Sequence, residues 1–309
     1  MNRCGAAVIV AGLLSVSSMA ADFPTLTGPG TLVLWLDAAD ATYSAGSGNV
    51  EWQDRAGGDS YGGLFTVPGW AASPTIGTMQ DNNLPVVYFN GSNVLRGESP
   101  GAFSQELAAQ WTFFFVLADV TNVRGLMDTA HNNYNPIRFN NNNNAVASQG
   151  SNDGGGVRLD LSDSAPNGVL FSFTHSGTSS SPLGDWPGGP GNTRTWYGYT
   201  NGQGGLDEGG NPVYAGSYNE QEGQVVGWFE PQFGAVNGGY DGGGVEGWYT
   251  GGLAEVIVFK GVLSDEDRQS VEVYLMTKYA IAGYGVPEPA TMVLLALGSL
   301  AMLRRRVCD

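Results

Sequence analysis

The carboxylates come first among the residues whose types could do chemistry. Hydrolysis of a glycosidic bond takes two Asp or Glu side chains facing one another across a cleft. On a strand that calls for alternate positions, because neighbouring side chains point to opposite faces. Glu220-Gln221-Glu222 has the nearest spacing, but it lies in a polar, glycine-flanked stretch, and Glu255 stands alone in its apolar run. All three read as solvated carboxylates. The two histidines, His131 and His175, have no partner at metal-ligand spacing. Gly242 to Gly247 matches the spacing of a phosphate-binding glycine loop but opens no helix, so it reads as a flexible loop. The chain is expected not to be an enzyme, and no motif demands a cofactor.

Binding chemistry has better candidates. Trp186, Trp196, Tyr197 and Tyr199 cluster in the middle of the chain. Aromatic faces can stack on sugar rings while nearby Asn and Asp bond the hydroxyls. Trp186 lies in a Gly/Pro-rich setting and is expected to be exposed. Alternating aromatics in a sandwich are more often core. Asp153, Asp160, Asp163, Asp207, Glu208 and Asp241 lie in or beside Gly/Asn-rich segments, where carboxylates and carbonyls together could hold Ca²⁺. None of them forms an EF-hand loop, so the metal ligands stay unassigned.

A third kind of chemistry is written at the end of the chain. Pro287-Glu288-Pro289 cannot continue a preceding helix. Ala290 to Leu303 follows without a charge, and Arg304-Arg305-Arg306 closes the run on the side that stays cytoplasmic. As a helix, Ala290 to Leu303 rises about 21 Å, short of a hydrocarbon core of about 30 Å. Flanking residues and snorkelling arginines make up part of the gap. This order resembles the PEP-CTERM protein-sorting signal of Gram-negative bacteria. The resemblance implies export, recognition of Pro287, Glu288 and Pro289 by an exosortase-type membrane enzyme, and removal of the tail. An ordinary C-terminal membrane anchor would use the same three parts.

The N-terminus points to the same route. Arg3, the apolar run Ala6 to Val16 and the small residues Ser18-Met19-Ala20 make a secretory signal peptide over residues 1–20. A working domain over residues 21–285 and a sorting tail over 286–309, with its membrane segment at 290–303, complete the expected organisation. Cys4 and Cys308 leave with the processed ends, so the mature chain has no thiol or disulfide. Removing both ends takes away four arginines and two acids, and the net charge moves from −16 to −18. Such a surface argues against nucleic acid and anionic membranes as partners.

The elements that must position these residues read as short strands. Apolar, aromatic runs alternate with Gly, Asn and Ser clusters, the pattern of an all-β domain. Strands are expected over Thr31 to Leu36, Val50 to Asp54, Val86 to Phe89, Trp111 to Val120, Val157 to Leu161, Val169 to Thr174, Thr195 to Tyr199, Gln224 to Phe229, Gln232 to Val236 and Leu253 to Phe259. Asn90-Gly91 is a hairpin signal, with Val94-Leu95 returning. Asn140 to Asn144 reads as a loop. Ser264 caps a final helix whose first turn holds Asp265, Glu266 and Asp267. Val271, Tyr274, Leu275 and Tyr279 share one face of it, and Gly283 is its expected stop.

Leu34 to Ala38 (LWLDA), Trp52 to Asp54, Phe89 to Ser92 and the final strand, cap and helix together resemble a bacterial concanavalin A-like or laminin-G-like domain. That resemblance implies a jelly-roll β-sandwich with a C-terminal amphipathic helix. It also implies a lectin-like, non-catalytic surface or matrix protein, with extracellular polysaccharide as the expected partner. A glycan hydrolase on the same fold and a self-associating structural module are the alternatives.

Overall fold

A computed structural model describes residues 22–56, 63–80, 82–97, 111–122, 125–130, 138–139, 144–148, 157–160, 168–177, 194–204, 230–236 and 247–282. Strands dominate them. In chain order these are β1 (Thr31–Asp37), β2 (Ala41–Tyr43), β3 (Val50–Gln53), β4 (Leu64–Thr66), β5 (Thr75–Thr78), β6 (Pro85–Asn90), β7 (Leu95–Gly97) and β8 (Trp111–Asn122). There follow β9 (Met127–Ala130), β10 (Arg138–Phe139), β11 (Asn144–Ser148), β12 (Val157–Asp160), β13 (Val169–Gly177), β14 (Arg194–Thr200) and β15 (Gln203–Gly204). The last are β16 (Glu230–Phe233), β17 (Ala235–Val236), β18 (Gly247–Trp248) and β19 (Thr250–Lys260), before the helix α1 (Asp265–Tyr279).

Two antiparallel sheets carry the sandwich. The larger has the order β15-β14-β13-β8-β19-β6-β5, with β1 also on β19, and the smaller has the order β2-β3-β4-β7-β16-β9. β19 is the hub of the larger sheet. One side of it pairs with β8 along its whole length. The other side is shared: Thr250 to Leu253 pair with β6, and Glu255 to Lys260 pair with β1.

Both faces of the larger sheet are buried where β8 and β19 run together, which explains the unbroken apolar run in β8. Phe113, Phe115 and Leu117 face the smaller sheet, packing with Trp52, Phe65, Leu95 and Phe233. Phe113 stacks on Phe173 of β13 with ring centroids 4.6 Å apart. Phe114 and Val116 face the other way, with Ile257 and Phe259, against Val271, Tyr274, Leu275 and Tyr279 of α1. Each such side chain removed from water stabilises by about 1.5–3 kcal/mol. A strand with two buried faces needs apolar residues at successive positions, not at alternate ones.

The Asn90-Gly91 turn does not make a hairpin. β6 belongs to the larger sheet and β7 to the smaller, so the turn carries the chain from one layer to the other. Side-chain bonds hold the corner. Asn93 accepts from the Asn90 N–H at 2.6 Å and donates to the Ser73 carbonyl at 2.7 Å. Gly234 packs against it, in a left-handed conformation where a Cβ would lie 2.1 Å from the Asn93 carbonyl oxygen. Asn144 is also corrected: it opens β11, opposite Asp160. Residues 224–229 lie outside the described residues.

Ser264 caps α1 as expected, accepting from the Asp267 N–H at 3.1 Å. The helix stops before Gly283. Ala280 takes the left-handed conformation at φ +53°, and Ile281 donates back to the Met276 carbonyl at 2.9 Å. Burial of Ile281 forces the turn there. An alanine in this conformation costs about 1–2 kcal/mol that glycine avoids. Ala280 is exposed, so little packing is lost on trimming it. Ala280→Gly should therefore raise stability by about 1 kcal/mol in urea denaturation; a drop would show that the Ala280 methyl contributes packing instead.

Candidate functional site

Residues from β1, β19 and α1 converge on one ammonium group. Lys278, in the last turn of α1, places its Nζ 2.6 Å from Asp37 Oδ2 and 2.7 Å from Glu255 Oε2. Asp37 ends β1, and its Oδ2 also accepts from Arg55 at 2.7 Å. Arg55 reaches Asp40 as well, at 2.7 Å from Nη2. Glu255 accepts from Trp35 Nε1 at 2.7 Å and from the Tyr279 hydroxyl at 2.9 Å. Asp54 ties the strands together by accepting from the Trp35 N–H at 2.8 Å.

Glu255 is thus not a solvated carboxylate; it is 1% exposed. A bulge is the reason. The β8–β19 register shifts between Leu253 and Glu255, so Glu255 turns to the helix side, where strict alternation would have put it between the sheets. Burial pushes its pKa up and Lys278 draws it back. Burial pulls Lys278 down, but Glu255 and Asp37 outweigh it and hold the ammonium above its ordinary value.

A second buried pair lies nearer the start of the helix. Arg268 bonds both Glu272 oxygens, at 2.6 and 2.7 Å, and Ser172 of β13 donates to the same carboxylate at 2.5 Å. The Arg268 guanidinium sits 3.6 Å from the centre of the Tyr199 ring.

That contact divides the aromatic candidates. Tyr199 spends ring surface on Arg268, whereas Tyr197, two positions away on β14, is 40% exposed. Trp196 precedes Tyr197 on β14, its backbone opposite His175. Trp186 lies outside the described residues, as do Glu220, Glu222 and His131. Of the calcium candidates, Asp160 lies on β12, and Asp153, Asp163, Asp207, Glu208 and Asp241 lie outside. Among the described residues no group of three His, Cys, Asp or Glu gathers to hold a metal ion. Nor is any helix among them long and apolar enough to cross a membrane. The segments expected to insert, residues 1–20 and 290–303, lie outside them.

The family model of the PEP-CTERM protein-sorting motif matches residues 285–306. The chain carries a PEP-CTERM sorting motif. Pro287, Glu288, Pro289, Arg304, Arg305 and Arg306 all fall within it, and it directs exosortase-dependent export toward the envelope or extracellular space of Gram-negative bacteria. No curated protein matches the chain. Among solved structures, domain 4 of a GH43 extracellular arabinanase from Geobacillus stearothermophilus, in complex with arabinotriose, is 13% identical. That likeness covers 79% of this chain and 98% of that one at a TM-score of 0.48. A GH54 α-L-arabinofuranosidase is 12% identical over 84% of this chain and 62% of its own, at a TM-score of 0.43. The binding domain of Paraclostridial Mosquitocidal Protein 1 is 12% identical over 79% and 52%, at 0.41. At this similarity none of them transfers an activity.

In the sequence Lys278 is simply a cation near the end of the helix, where it suits the negative end of the dipole. The better signal was scarcity, since it is one of two lysines and follows a strand carrying a lone glutamate. Lys278→Met leaves buried Glu255 without its ammonium partner, and Asp37 with Arg55 alone, so it should lower stability by about 3 kcal/mol near neutral pH. A raised lysine pKa means the contribution is complete below the ordinary value of 10.5 and fades as pH rises through the folded value. The gap between wild type and Lys278→Met in denaturant midpoint should accordingly narrow above that pH; a constant gap would show that packing, not charge, is lost.

Proposed function

We propose that this chain is an exported, non-catalytic protein of the cell surface or extracellular matrix. Its sandwich is a concanavalin A-like jelly roll with a lectin-like role, presented outside the cell through its sorting tail. The observation that carries this reading is the sorting motif at residues 285–306, which begins four positions after the buried Ile281. An exosortase-type enzyme is the processing partner.

The state of the carboxylates supports the non-catalytic part. Asp37, Glu255 and Glu272 each meet a lysine or arginine within 2.7 Å. Retaining and inverting glycosidases need one carboxyl that can give up a proton and another free to attack or to activate water. Carboxylates saturated by cations and held under a helix suit neither role. The sandwich edge is also partly closed, which weighs against open-ended self-association. The Tyr43 hydroxyl accepts from the Ile76 N–H of the edge strand β5 at 2.9 Å, blunting a row of donors that another strand could pair with.

The glycan part draws on exposed aromatic surface such as Tyr197, and on a negative net charge of −16 that disfavours anionic polymers. Ca²⁺ is the one ion this reading admits, in loops rich in Asp and Asn. Mass spectrometry of the exported protein should find its C-terminus near residues 286–289. Arg304 to Arg306 retained on most molecules would support a plain membrane anchor instead. Labelled polysaccharides should bind the exported protein; no binding with or without Ca²⁺ would remove the lectin role and leave a structural one.

A further inference from the structure

We propose that Tyr88 and Asp119 form a sugar-binding platform for uncharged pyranose chains. The proposal rests on the glycan-binding reading and gives it a site away from the β14 aromatics.

Tyr88 lies on β6, opposite Gly252 of β19 on one side and Thr75 of β5 on the other. Glycine on both flanking strands makes room for the ring. A Cβ at Gly77 of β5 would fall 2.9 Å from Tyr88 Cε2, and one at Gly252 would fall 3.0 Å from Cε1. The two edges of the ring are therefore lodged between neighbouring strands. The tip is held as well: the Tyr88 hydroxyl donates to Asp119 Oδ2 at 2.9 Å, with the Thr78 carbonyl as an alternative acceptor at 3.3 Å. The ring is half-buried, and its bond to Asp119 is open to solvent.

Asp119 is the unusual member. It lies within β8 yet has a left-handed backbone, φ +49°, a conformation that costs free energy in residues other than glycine. The strain sits where β8 and β19 lose register between Thr250 and Gly252. This irregularity turns an exposed carboxylate toward the ring. Strain of this kind persists where the surrounding structure imposes it, and it collects at ligand sites.

The chemistry matches a sugar. A ring fixed along its edges and at its tip can meet the C–H face of a pyranose without losing rotational freedom on binding. Asp119 receives one bond from Tyr88 and keeps further lone pairs for sugar hydroxyls. Burial, and then the bond to Asp119, push the Tyr88 phenol up to about 12, so it remains a donor at neutral pH. The carboxylate and the net charge of −16 turn away uronic-acid polymers and accept neutral ones.

The test is titration of the exported protein with cello-, xylo- and manno-oligosaccharides, with oligogalacturonate as the anionic comparison. At least one neutral series should bind, and the anionic one should not. Tyr88→Ala should weaken binding roughly tenfold or more. Gly77→Ala, which pushes a methyl into the ring but deletes no aromatic, should do the same, and a melting curve near wild type confirms that its fold is kept. Asp119→Asn, which tolerates the left-handed backbone, should also weaken binding. Binding unchanged in Tyr88→Ala and Gly77→Ala but lost in Tyr197→Ala overturns the platform and leaves the glycan reading on β14. Tighter binding of oligogalacturonate overturns the charge selectivity and with it the role of Asp119. Absence of binding to any sugar overturns both readings.

Discussion

The Lys278 ammonium lies between two carboxylates that the fold has removed from water, Asp37 at the end of β1 and Glu255 in the bulge of β19. Neither acid is tolerable there without a cation, because an unpaired buried charge costs several kcal/mol. The helix must therefore dock in one register, with its last turn over the β1–β19 seam. Arg55 repeats the condition from the other side by bonding Asp37 and Asp40. Four segments distant in sequence are fixed by one set of charges. Net stability from such a set is modest, since desolvation offsets much of the attraction; what it supplies is a penalty on every other docking of the helix.

Packing of the larger sheet depends on that docking. Its outer face carries Phe114, Val116, Ile257 and Phe259, which would face water without α1. Its inner face is closed by the smaller sheet. Bulges reconcile the two demands. Register shifts between Leu32 and Leu34, where β1 meets β19, and between Leu253 and Glu255, where β19 meets β8, let these strands stay paired while chosen side chains change face. Without the second shift Glu255 would point into the apolar layer between the sheets, where no lysine reaches.

Much of this was legible in the sequence. Apolar runs gave most of the central strands, and Ser264 with its acidic first turn gave the helix start, because these signals are local. The failures share a cause. Asn90-Gly91 looks the same whether the next strand returns beside the last or crosses to the other layer, and only the pairing of β7 with β4 and β16 decides it. Glu255 looked exposed because a bulge is invisible to counting by twos. Gly283 looked like the helix stop because glycine suits the left-handed cap, yet burial of Ile281 makes Ala280 take that conformation. Of the aromatic candidates, the residue pattern could not tell Tyr197 from Tyr199, since the difference is an arginine arriving from α1. The Asp119 backbone, likewise, follows from a register slip that no single run of residues records.

The helix that completes the core also carries both ends of the domain. Residues 22–30 cross its face: the Phe23 ring centroid lies 4.7 Å from that of Trp35 and 5.4 Å from that of Tyr274. The Thr27 and Gly28 N–H groups donate to Asp267 at 2.9 and 2.8 Å, and these bonds, Thr27 foremost, hold that carboxyl below its ordinary pKa. At the other end Ile281 is buried and the sorting motif begins at residue 285. Fully extended, the seven steps from Ile281 to Glu288 reach at most about 25 Å. A membrane enzyme that recognises the motif therefore meets it close to the folded helix. Opening the last turn of α1 would lengthen this reach, but it would also withdraw Lys278 from Asp37 and Glu255. The charges that fix the helix thus also fix how far the tail can extend from a folded domain.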